Sequence, residues 1–285
     1  MSKFILGTAN FGGSYGLAQN KNIDEKHLKE IILFAQENGV NHFDTATAYG
    51  TSQSILGKFI DKSKKPKIDS KISEKECESV SSILAAVKKT IDCLGVDKLS
   101  TLYLHNSKSL LEKNQNIVKS GLNKLIDLGL VDYIGVSAYT LNEVILCKNT
   151  FSSLTRFQVP ENICDRRLVN SKELLDLSIL GDQINVRSIF LQGLLIMDIQ
   201  SIPTKLKKAK KIIQEFEYYS KSIQSTRAEL CTAYALGIPW ASKIVIGVES
   251  QLQLQEILRF GALSIDDWSK NIQKLDESIA DPRNW

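Results

Sequence analysis

The sequence predicts an α/β fold, a (β/α)8 TIM barrel in which eight parallel strands form a closed barrel inside a ring of helices. Short apolar runs alternate along the chain with longer segments of helical periodicity. The short runs are apolar at nearly every position, which is typical of parallel strands buried on both faces. Eight strand–helix units also fit the 285 residues of the chain, since such barrels take about 250 residues.

The predicted elements follow one another in regular order. The predicted strands are 4–6, 40–46, 68–72, 99–104, 133–137, 157–159, 184–191 and 244–248. The predicted helices are 28–39, 52–60, 80–94, 117–128, 141–147, 168–180, a long helical region ending near 236, 252–260 and 265–279. Asp24 is suited to cap the first helix, whose apolar residues recur at helical spacing. An open doubly wound sheet is the competing architecture, but it usually carries a GxGxxG turn that this chain lacks.

Composition and charge exclude several classes of protein. Hydrophobic residues make up 43% and charged residues 24% of the chain, which is ordinary for a globular protein and excludes a disordered one. The net charge of +4 is too small to indicate a nucleic-acid partner. The sequence has neither a run long enough to span a bilayer nor a signal-peptide layout. We therefore expect one cytoplasmic barrel domain over residues 1–285, without a membrane or nucleic-acid partner.

The cysteines and a cluster of lysines indicate no special chemistry. The five cysteines are odd in number, scattered and free of any CxxC pair, which favours neither a disulfide framework nor a zinc site. Five lysines fall within seven residues, and we interpret them as a solvated helix face, with an anion-attracting rim as the alternative. These lysines are Lys205, Lys207, Lys208, Lys210 and Lys211.

Four polar residues fall at the predicted carboxyl ends of neighbouring strands, where barrels of this type place their sites. Asp44 and Tyr49 follow the second strand, Lys71 closes the third and His105 closes the fourth. A buried Lys71 needs a carboxylate partner, which Asp44 would supply. The ammonium should lower the pKa of Tyr49 from about 10 towards the range of a general acid. His105 would polarise a substrate oxygen, so the set suits the reduction of a carbonyl.

Each of the four residues also has an ordinary structural interpretation. Asp44 alone could cap a helix, and Tyr49 alone could be a half-buried aromatic residue. Lys71 could extend its ammonium to the surface, and His105 could be a hydrogen-bonded core residue. Their joint position at the ends of adjacent strands favours a shared site.

The residues around these positions resemble those of the aldo-keto reductase family. Residues 43–50 read Phe-Asp-Thr-Ala-Thr-Ala-Tyr-Gly, similar to the family's FDTA…YG block. Lys71 and His105 match its two other catalytic positions. Further motifs follow in the family's order, namely Gly-Val-Ser at 135–137, Gln-Val-Pro-Glu-Asn at 158–162, and the segments 187–195 and 246–254.

The resemblance implies a (β/α)8 barrel that binds NADPH or NADH in extended form and reduces a carbonyl compound. Tyr49 would donate the proton, Lys71 held by Asp44 would lower the pKa of Tyr49, and His105 would orient the carbonyl. Ser137 and Gln158 would hold the carboxamide of the nicotinamide, and the remaining matched positions would contact the ring, ribose and phosphates. The implied cofactor-binding residues are Thr8, Ser137, Gln158, Arg187, Ser188, Gly247, Ser250 and Gln253.

Three departures from the family pattern affect the cofactor. Ala138 stands where the family often has asparagine, and Arg187 stands where many relatives have a tyrosine that stacks on the nicotinamide. The stretch 247–253 carries Glu249 and no cation, although many relatives use lysine or arginine there for the 2′-phosphate of NADP. NADP and NAD therefore both stay open, with Lys243 or Arg259 as candidate phosphate partners.

Two other functions and one substrate class follow from the sequence. A lysine at a barrel strand end can form a Schiff base, so a lyase or aldolase using Lys71 is one alternative. A cofactor-binding regulatory subunit without turnover is the other. The chain ends at Trp285, without the long closing tail of some relatives. We therefore expect an open, mildly basic cleft that suits a small carbonyl substrate of polar or sugar-like character.

Overall fold

Eight parallel strands close into a barrel in the computed structural model, which describes residues 2–13, 16–17, 23–112, 114–261 and 269–285. The strands are β1 Phe4–Gly7, β2 His42–Asp44, β3 Lys67–Ile72, β4 Leu99–Leu104, β5 Val131–Ser137, β6 Arg156–Pro160, β7 Gln183–Arg187 and β8 Lys243–Ile246. Each strand pairs with the next along the chain, and β1 pairs with β8 to close the barrel. The predicted (β/α)8 fold class is confirmed.

The helices lie outside the barrel and are mostly those that the periodicity predicts. They are α1 Glu25–Glu37, α2 Ser52–Phe59, α3 Val80–Leu94, α4 Lys108–Leu111, α5 Gln115–Asp127, α6 Leu141–Thr150, α7 Lys172–Ile179, α8 Lys210–Ser222, α9 Arg227–Leu236, α10 Gln251–Arg259 and α11 Glu277–Ala280. Asp24 caps α1 as predicted, because its side chain accepts a hydrogen bond of 2.8 Å from the backbone N–H of His27. No helix among the described residues is long and apolar enough to cross a membrane.

The barrel separates two ends with different chemistry. At the amino end, His42 Nε2 lies 2.9 Å from Asp69 Oδ2, and Lys243 Nζ lies 3.3 Å from His42 Nδ1. Lys243 begins β8, so its ammonium lies at the end of the barrel away from the carboxyl termini of the strands. The suggestion that Lys243 reaches a cofactor phosphate is therefore wrong, and the chemistry described below lies at the opposite end.

Three predicted boundaries were wrong around β7. The strand predicted at 184–191 ends at Arg187, because Ser188, Leu191 and Gln192 adopt left-handed backbone with φ of 62°, 47° and 53°. The helical region after it divides into α8 and α9. The helix predicted at 168–180 begins only at Lys172, after an irregular segment.

Two further predictions concern the last helix and the lysine cluster. The helix predicted at 265–279 lies partly in 262–268, outside the described residues. In the described stretch 269–285, the helical elements of more than one residue are α11 and the 3-10 turn at 282–284. The five clustered lysines lie on the 3-10 turn at 204–209 and the start of α8, where all but the half-buried Lys210 are exposed.

Candidate active site

A buried ion pair joins β2 to β3 at the carboxyl end of the barrel. Asp44 is the last residue of β2, and Lys71 is the fifth of the six residues of β3. Lys71 Nζ donates to Asp44 Oδ1 at 2.6 Å and to Oδ2 at 2.5 Å. Their side chains are only 2% and 5% exposed, so each charge depends on the other for compensation.

Gln158 extends this pair to β6. Its Nε2 donates to Asp44 Oδ1 at 2.6 Å, which fixes the orientation of the amide because a carboxylate accepts only. Its Oε1 is buried and has no hydrogen-bond partner among the described residues. Gln158 lines the same cavity as Asp44 and Lys71. The site thus offers a buried carbonyl oxygen that can accept a hydrogen bond from a ligand.

Tyr49 lies in the turn between β2 and α2, and glycine makes that position accessible. A Cβ atom on Gly12 would lie 1.6 Å from the carbonyl oxygen of Tyr49, so only glycine allows this approach of the β1 loop. Gly50 has φ of 54°, in the left-handed region. The turn places the Tyr49 ring centroid 5.5 Å from Lys71 Nζ and 5.9 Å from the ring centroid of His105.

The pKa of Tyr49 does not follow the expectation from the sequence. Burial raises this pKa well above its ordinary value of 10.0, and the charge of Asp44 raises it further, whereas Arg187 lowers it. The shift is opposite to the lowering predicted from Lys71, because burial dominates it and because Asp44, which accepts two hydrogen bonds from Lys71 Nζ, compensates the ammonium charge locally. The phenol therefore keeps its proton at neutral pH.

His105 directly follows β4, and its backbone N–H donates to the carbonyl oxygen of Ile72 at 2.9 Å. Burial lowers the pKa of His105 to about 4, and the charges of Lys71 and Arg187 lower it in the same direction. The imidazole is therefore neutral at physiological pH. A neutral imidazole has one N–H donor, which can hydrogen-bond to a carbonyl oxygen.

A cavity of about 300 Å³ opens beside these residues. Asp44, Tyr49 and Lys71 line it, and the ring of the half-buried His105 meets the Tyr49 ring edge to face. Five of the eight residues predicted to bind the cofactor line the cavity as well. These five are Gln158, Arg187, Ser188, Gly247 and Gln253.

The other three predicted cofactor residues do not line the cavity. Thr8 is fully buried, and its Oγ1 lies 2.6 Å from Ser52 Oγ and 3.1 Å from the backbone oxygen of Asp44. Ser250 caps α10 by accepting a hydrogen bond from the backbone N–H of Gln253. Ser137 ends β5 and is buried beside Gln158. Thr8 and Ser250 hold the surrounding backbone in place.

Sequence reasoning missed the apolar wall of the cavity. This wall comes from the segment between β7 and α8, which was predicted to continue the strand as far as residue 191 and to be helical after it. Its residues at the cavity include Phe190, Ile196 and Met197. The backbone N–H of Leu17 donates to the carbonyl oxygen of Gln192 at 3.3 Å, so the loop after β1 meets this segment beside the cavity. The only signal of this turn in the sequence was the apolar run 189–191 followed by Gln192 and Gly193.

The fold agrees with what sequence comparison finds. The model of the family described as "Aldo/keto reductase family" matches residues 3–278. The chain belongs to the aldo/keto reductase family.

Two curated relatives match part of the chain. The chain is 28% identical over 208 residues to a chloroplastic pyridoxal reductase of Arabidopsis thaliana, which covers 66% of this chain and 56% of that protein. It is 32% identical over 149 residues to the oxidoreductase sirO of Leptosphaeria maculans, which covers 49% of this chain and 44% of that protein. The chain thus spans about half the length of the curated relatives it matches.

Solved structures of aldo/keto reductases share the fold. A glycerol dehydrogenase from Gluconobacter oxydans superposes with a TM-score of 0.71 at 19% identity, covering 95% of this chain and 89% of that one. A thermostable aldo-keto reductase in complex with the inhibitor epalrestat gives a TM-score of 0.69 at 20% identity, covering 98% and 93%. At such identities the likeness establishes the barrel fold alone.

Proposed function

We propose that the protein reduces an aldehyde or ketone to an alcohol with hydride from NAD(P)H. The observation that carries this proposal is the meeting of a buried tyrosine with a compensated lysine–aspartate pair at one cavity. A protonated phenol beside a neutral imidazole suits proton donation to a carbonyl oxygen. Family membership supports the same reaction class.

Each residue of the site would have a distinct role in this reaction. Tyr49 would give its proton to the carbonyl oxygen as that oxygen gains negative charge. His105 would orient the same oxygen through its N–H donor. Lys71 and Asp44 would hold the polar environment of Tyr49 fixed, since neither side chain can move without leaving a buried charge unpaired.

Two unpaired acceptors in the cavity fit a nicotinamide dinucleotide. Gln158 Oε1 and Asn10 Oδ1 are buried without a hydrogen-bond partner among the described residues, and both side chains line the cavity. Buried acceptors are normally satisfied, so a ligand that brings N–H or O–H donors would complete them. The carboxamide and ribose hydroxyls of the dinucleotide are such donors. When bound, the dinucleotide supplies the hydride.

We further propose that NADH is preferred over NADPH. Among the described residues that line the cavity, the cations are Lys71 and Arg187, both near Tyr49, while Glu249 and Gln253 line the part formed after β8. By the family pattern this part holds the adenosine ribose. A 2′-phosphate there would meet the Glu249 carboxylate without an opposing cation, whereas a free 2′-hydroxyl can donate to it.

The cofactor preference can be measured by titration of nucleotide against intrinsic fluorescence. We expect a Kd for NADH at least about tenfold below that for NADPH, since one repulsive charge contact costs on the order of 1.4 kcal/mol. Glu249→Gln should narrow this ratio, because it removes the negative charge and keeps a hydrogen-bonding side chain. Glu256→Gln on the exposed face of α10 is the matched control and should leave the ratio unchanged. Tighter binding of NADPH by the wild type would contradict the preference.

The Schiff-base alternative is less compatible with the site. Lys71 Nζ donates to both oxygens of Asp44 and lies 3.4 Å from the carbonyl oxygen of Thr45. These acceptors stabilise the ammonium form, which has no free electron pair for attack on a carbonyl carbon. Borohydride treatment in the presence of a carbonyl substrate should therefore leave the mass of Lys71-containing peptides unchanged.

The proposed reaction is tested with the Tyr49→Phe variant. We expect wild-type turnover with NADH or NADPH on a panel of 4-nitrobenzaldehyde, 9,10-phenanthrenequinone and pyridoxal, the last because a relative is a pyridoxal reductase. Tyr49→Phe should lose about 10³-fold in kcat while its nucleotide Kd stays within about threefold, because only the proton donor is removed. Retained activity would refute the role of Tyr49. Failure of the wild type to bind either nucleotide would refute the proposed function.

A further inference from the structure

Arg187 is a cation at the cavity with few hydrogen bonds. It ends β7, and its guanidinium carbon lies 4.3 Å from the centroid of the Tyr139 ring. Its Nη2 donates to the carbonyl oxygen of Ala138 at 3.3 Å, and its Nη1 donates to Ser188 Oγ at 3.4 Å. Its Nε is buried without a hydrogen-bond partner among the described residues. A guanidinium has five N–H donors, so these two long bonds to neutral acceptors leave it under-coordinated.

No carboxylate in the described part of the chain lies within ion-pair distance of Arg187. Its neighbour Arg283 also lies over the Tyr139 ring, at 3.8 Å, but differs in that it donates to both carboxylate oxygens of Asp281. The other cation of the cavity, Lys71, is compensated by Asp44. The end of the cavity that contains Tyr49 therefore carries one uncompensated positive charge, that of Arg187.

The charge of Arg187 reaches the reacting groups. It lowers the pKa of both Tyr49 and His105, which places the guanidinium within electrostatic range of the two side chains. Hydride transfer requires the nicotinamide to lie against the carbonyl group whose oxygen Tyr49 protonates. In the proposed reaction the nicotinamide ring therefore also lies within range of Arg187.

We propose that Arg187 makes the cavity select the reduced dinucleotide over the oxidised one and so favours carbonyl reduction; this inference rests on the proposed function. In the reaction, the carbonyl carbon takes a hydride from the neutral dihydronicotinamide, and the carbonyl oxygen takes the proton of Tyr49. The products would be the alcohol, the oxidised dinucleotide with one positive charge on its ring, and the Tyr49 phenolate, which then regains a proton from water. The reduced and oxidised forms thus differ by one unit charge at the ring, next to an uncompensated guanidinium.

The physical consequence is a difference in affinity between the two redox forms. Two like charges within about 10 Å at an effective dielectric constant of about 20 repel enough to change binding roughly tenfold. The repulsion acts on the oxidised form alone, because the rest of the dinucleotide is identical. The oxidised product is therefore released more readily, and the reverse reaction is weakened by its poorer binding.

The test compares the Kd values of NADH and NAD⁺, measured by isothermal titration calorimetry on the full chain. We expect the wild type to bind NADH at least about tenfold more tightly than NAD⁺. Arg187→Gln should bring the ratio of the two Kd values towards unity, and Arg187→Lys should keep most of it because the charge remains. Lys89→Gln is the control, since Lys89 is an exposed cation on α3 that does not line the cavity.

Each result decides the inference separately from the proposed function. Equal affinity of the wild type for the two redox forms would overturn the role of Arg187 without any variant. A loss of binding in Arg187→Gln that is equal for both forms would also overturn it, since it would show contact with a part of the dinucleotide that does not change charge. Binding of neither nucleotide by the wild type would instead refute the proposed function.

Discussion

Asp44 joins three strands of the barrel through one buried carboxylate. It ends β2 and accepts hydrogen bonds from Lys71 on β3 and Gln158 on β6. The sequence predicted the pairing with Lys71, because a lysine at a buried strand end requires a carboxylate. It did not predict the pKa of Tyr49, because that value depends on how deeply the phenol is buried and on the compensation of the ammonium.

The pH dependence of reduction follows from Tyr49 and His105. Burial raises the pKa of Tyr49, so the phenol keeps its proton at pH 9 and above. Burial lowers the pKa of His105 to about 4, so the imidazole stays neutral down to about pH 5. We expect kcat/KM for 4-nitrobenzaldehyde at saturating nucleotide to be constant between about pH 5 and pH 9. A falling limb with a midpoint near pH 7–8 would show that the pKa of Tyr49 is lowered after all.

The same profile separates the two residues when variants are used. Tyr49→Phe removes any high-pH limb that belongs to the phenol, whereas His105→Gln removes any low-pH limb that belongs to the imidazole. A low-pH limb that persists in His105→Gln would assign it to another group.

At the scale of elements, the apolar pattern predicted a helix best where a clear capping residue marks its first turn. The start of α1 at Asp24 is an example, since an aspartate before an amphipathic run has one favoured role. The pattern failed after β7, where Leu191 and Gln192 adopt positive φ although neither is glycine. Their conformation depends on tertiary contacts, such as the bond from Leu17 to Gln192, which local sequence does not contain.

The segment between β6 and α7 shows the same limit. Its apolar residues were read as the first turns of a helix, but Trp240 Nε1 donates to the carbonyl oxygens of Leu168 and Val169. These oxygens are available only because the segment is irregular there. The competing partner lies 71 and 72 residues away along the chain, so the helical periodicity could not reveal it.

At the scale of the whole molecule, barrel closure determines which predicted residues share the cavity. Asp44, Tyr49 and Lys71 were predictable because strand ends in a parallel barrel meet at one face. Thr8 also lies at a strand end, but its side chain points to Ser52 and not into the cavity. The direction of each side chain depends on the register between neighbouring strands, which the sequence alone did not specify.

Glu161 is a buried carboxyl group that sequence reasoning did not select. It follows β6 and is fully buried, where its Oε1 accepts from the hydroxyl of Tyr234 on α9 at 2.7 Å and its Oε2 accepts from the backbone N–H of Leu168 at 2.9 Å. Burial raises the pKa of Glu161 to about 8, and the charge of Asp165 acts in the same direction. The folded protein therefore holds this proton at pH values where the unfolded chain, with the ordinary pKa of 4.5, has lost it.

The proton on Glu161 makes the stability of the whole barrel depend on pH. Between about pH 5 and pH 8 the folded state binds more protons than the unfolded state, so the free energy of unfolding falls as pH rises, by up to about 1.4 kcal/mol per pH unit. The Glu161→Gln variant mimics the protonated side chain. Its amide oxygen can accept from the backbone N–H of Leu168, and its amide N–H can donate to the hydroxyl oxygen of Tyr234. We expect the free energy of unfolding of this variant to gain roughly 3 kcal/mol relative to the wild type from pH 5 to pH 7.5 in urea titrations. The control Glu256→Gln, at an exposed position, should show the same pH dependence of stability as the wild type. If the pH dependence of Glu161→Gln were also parallel to that of the wild type, Glu161 would be ionised in the folded protein.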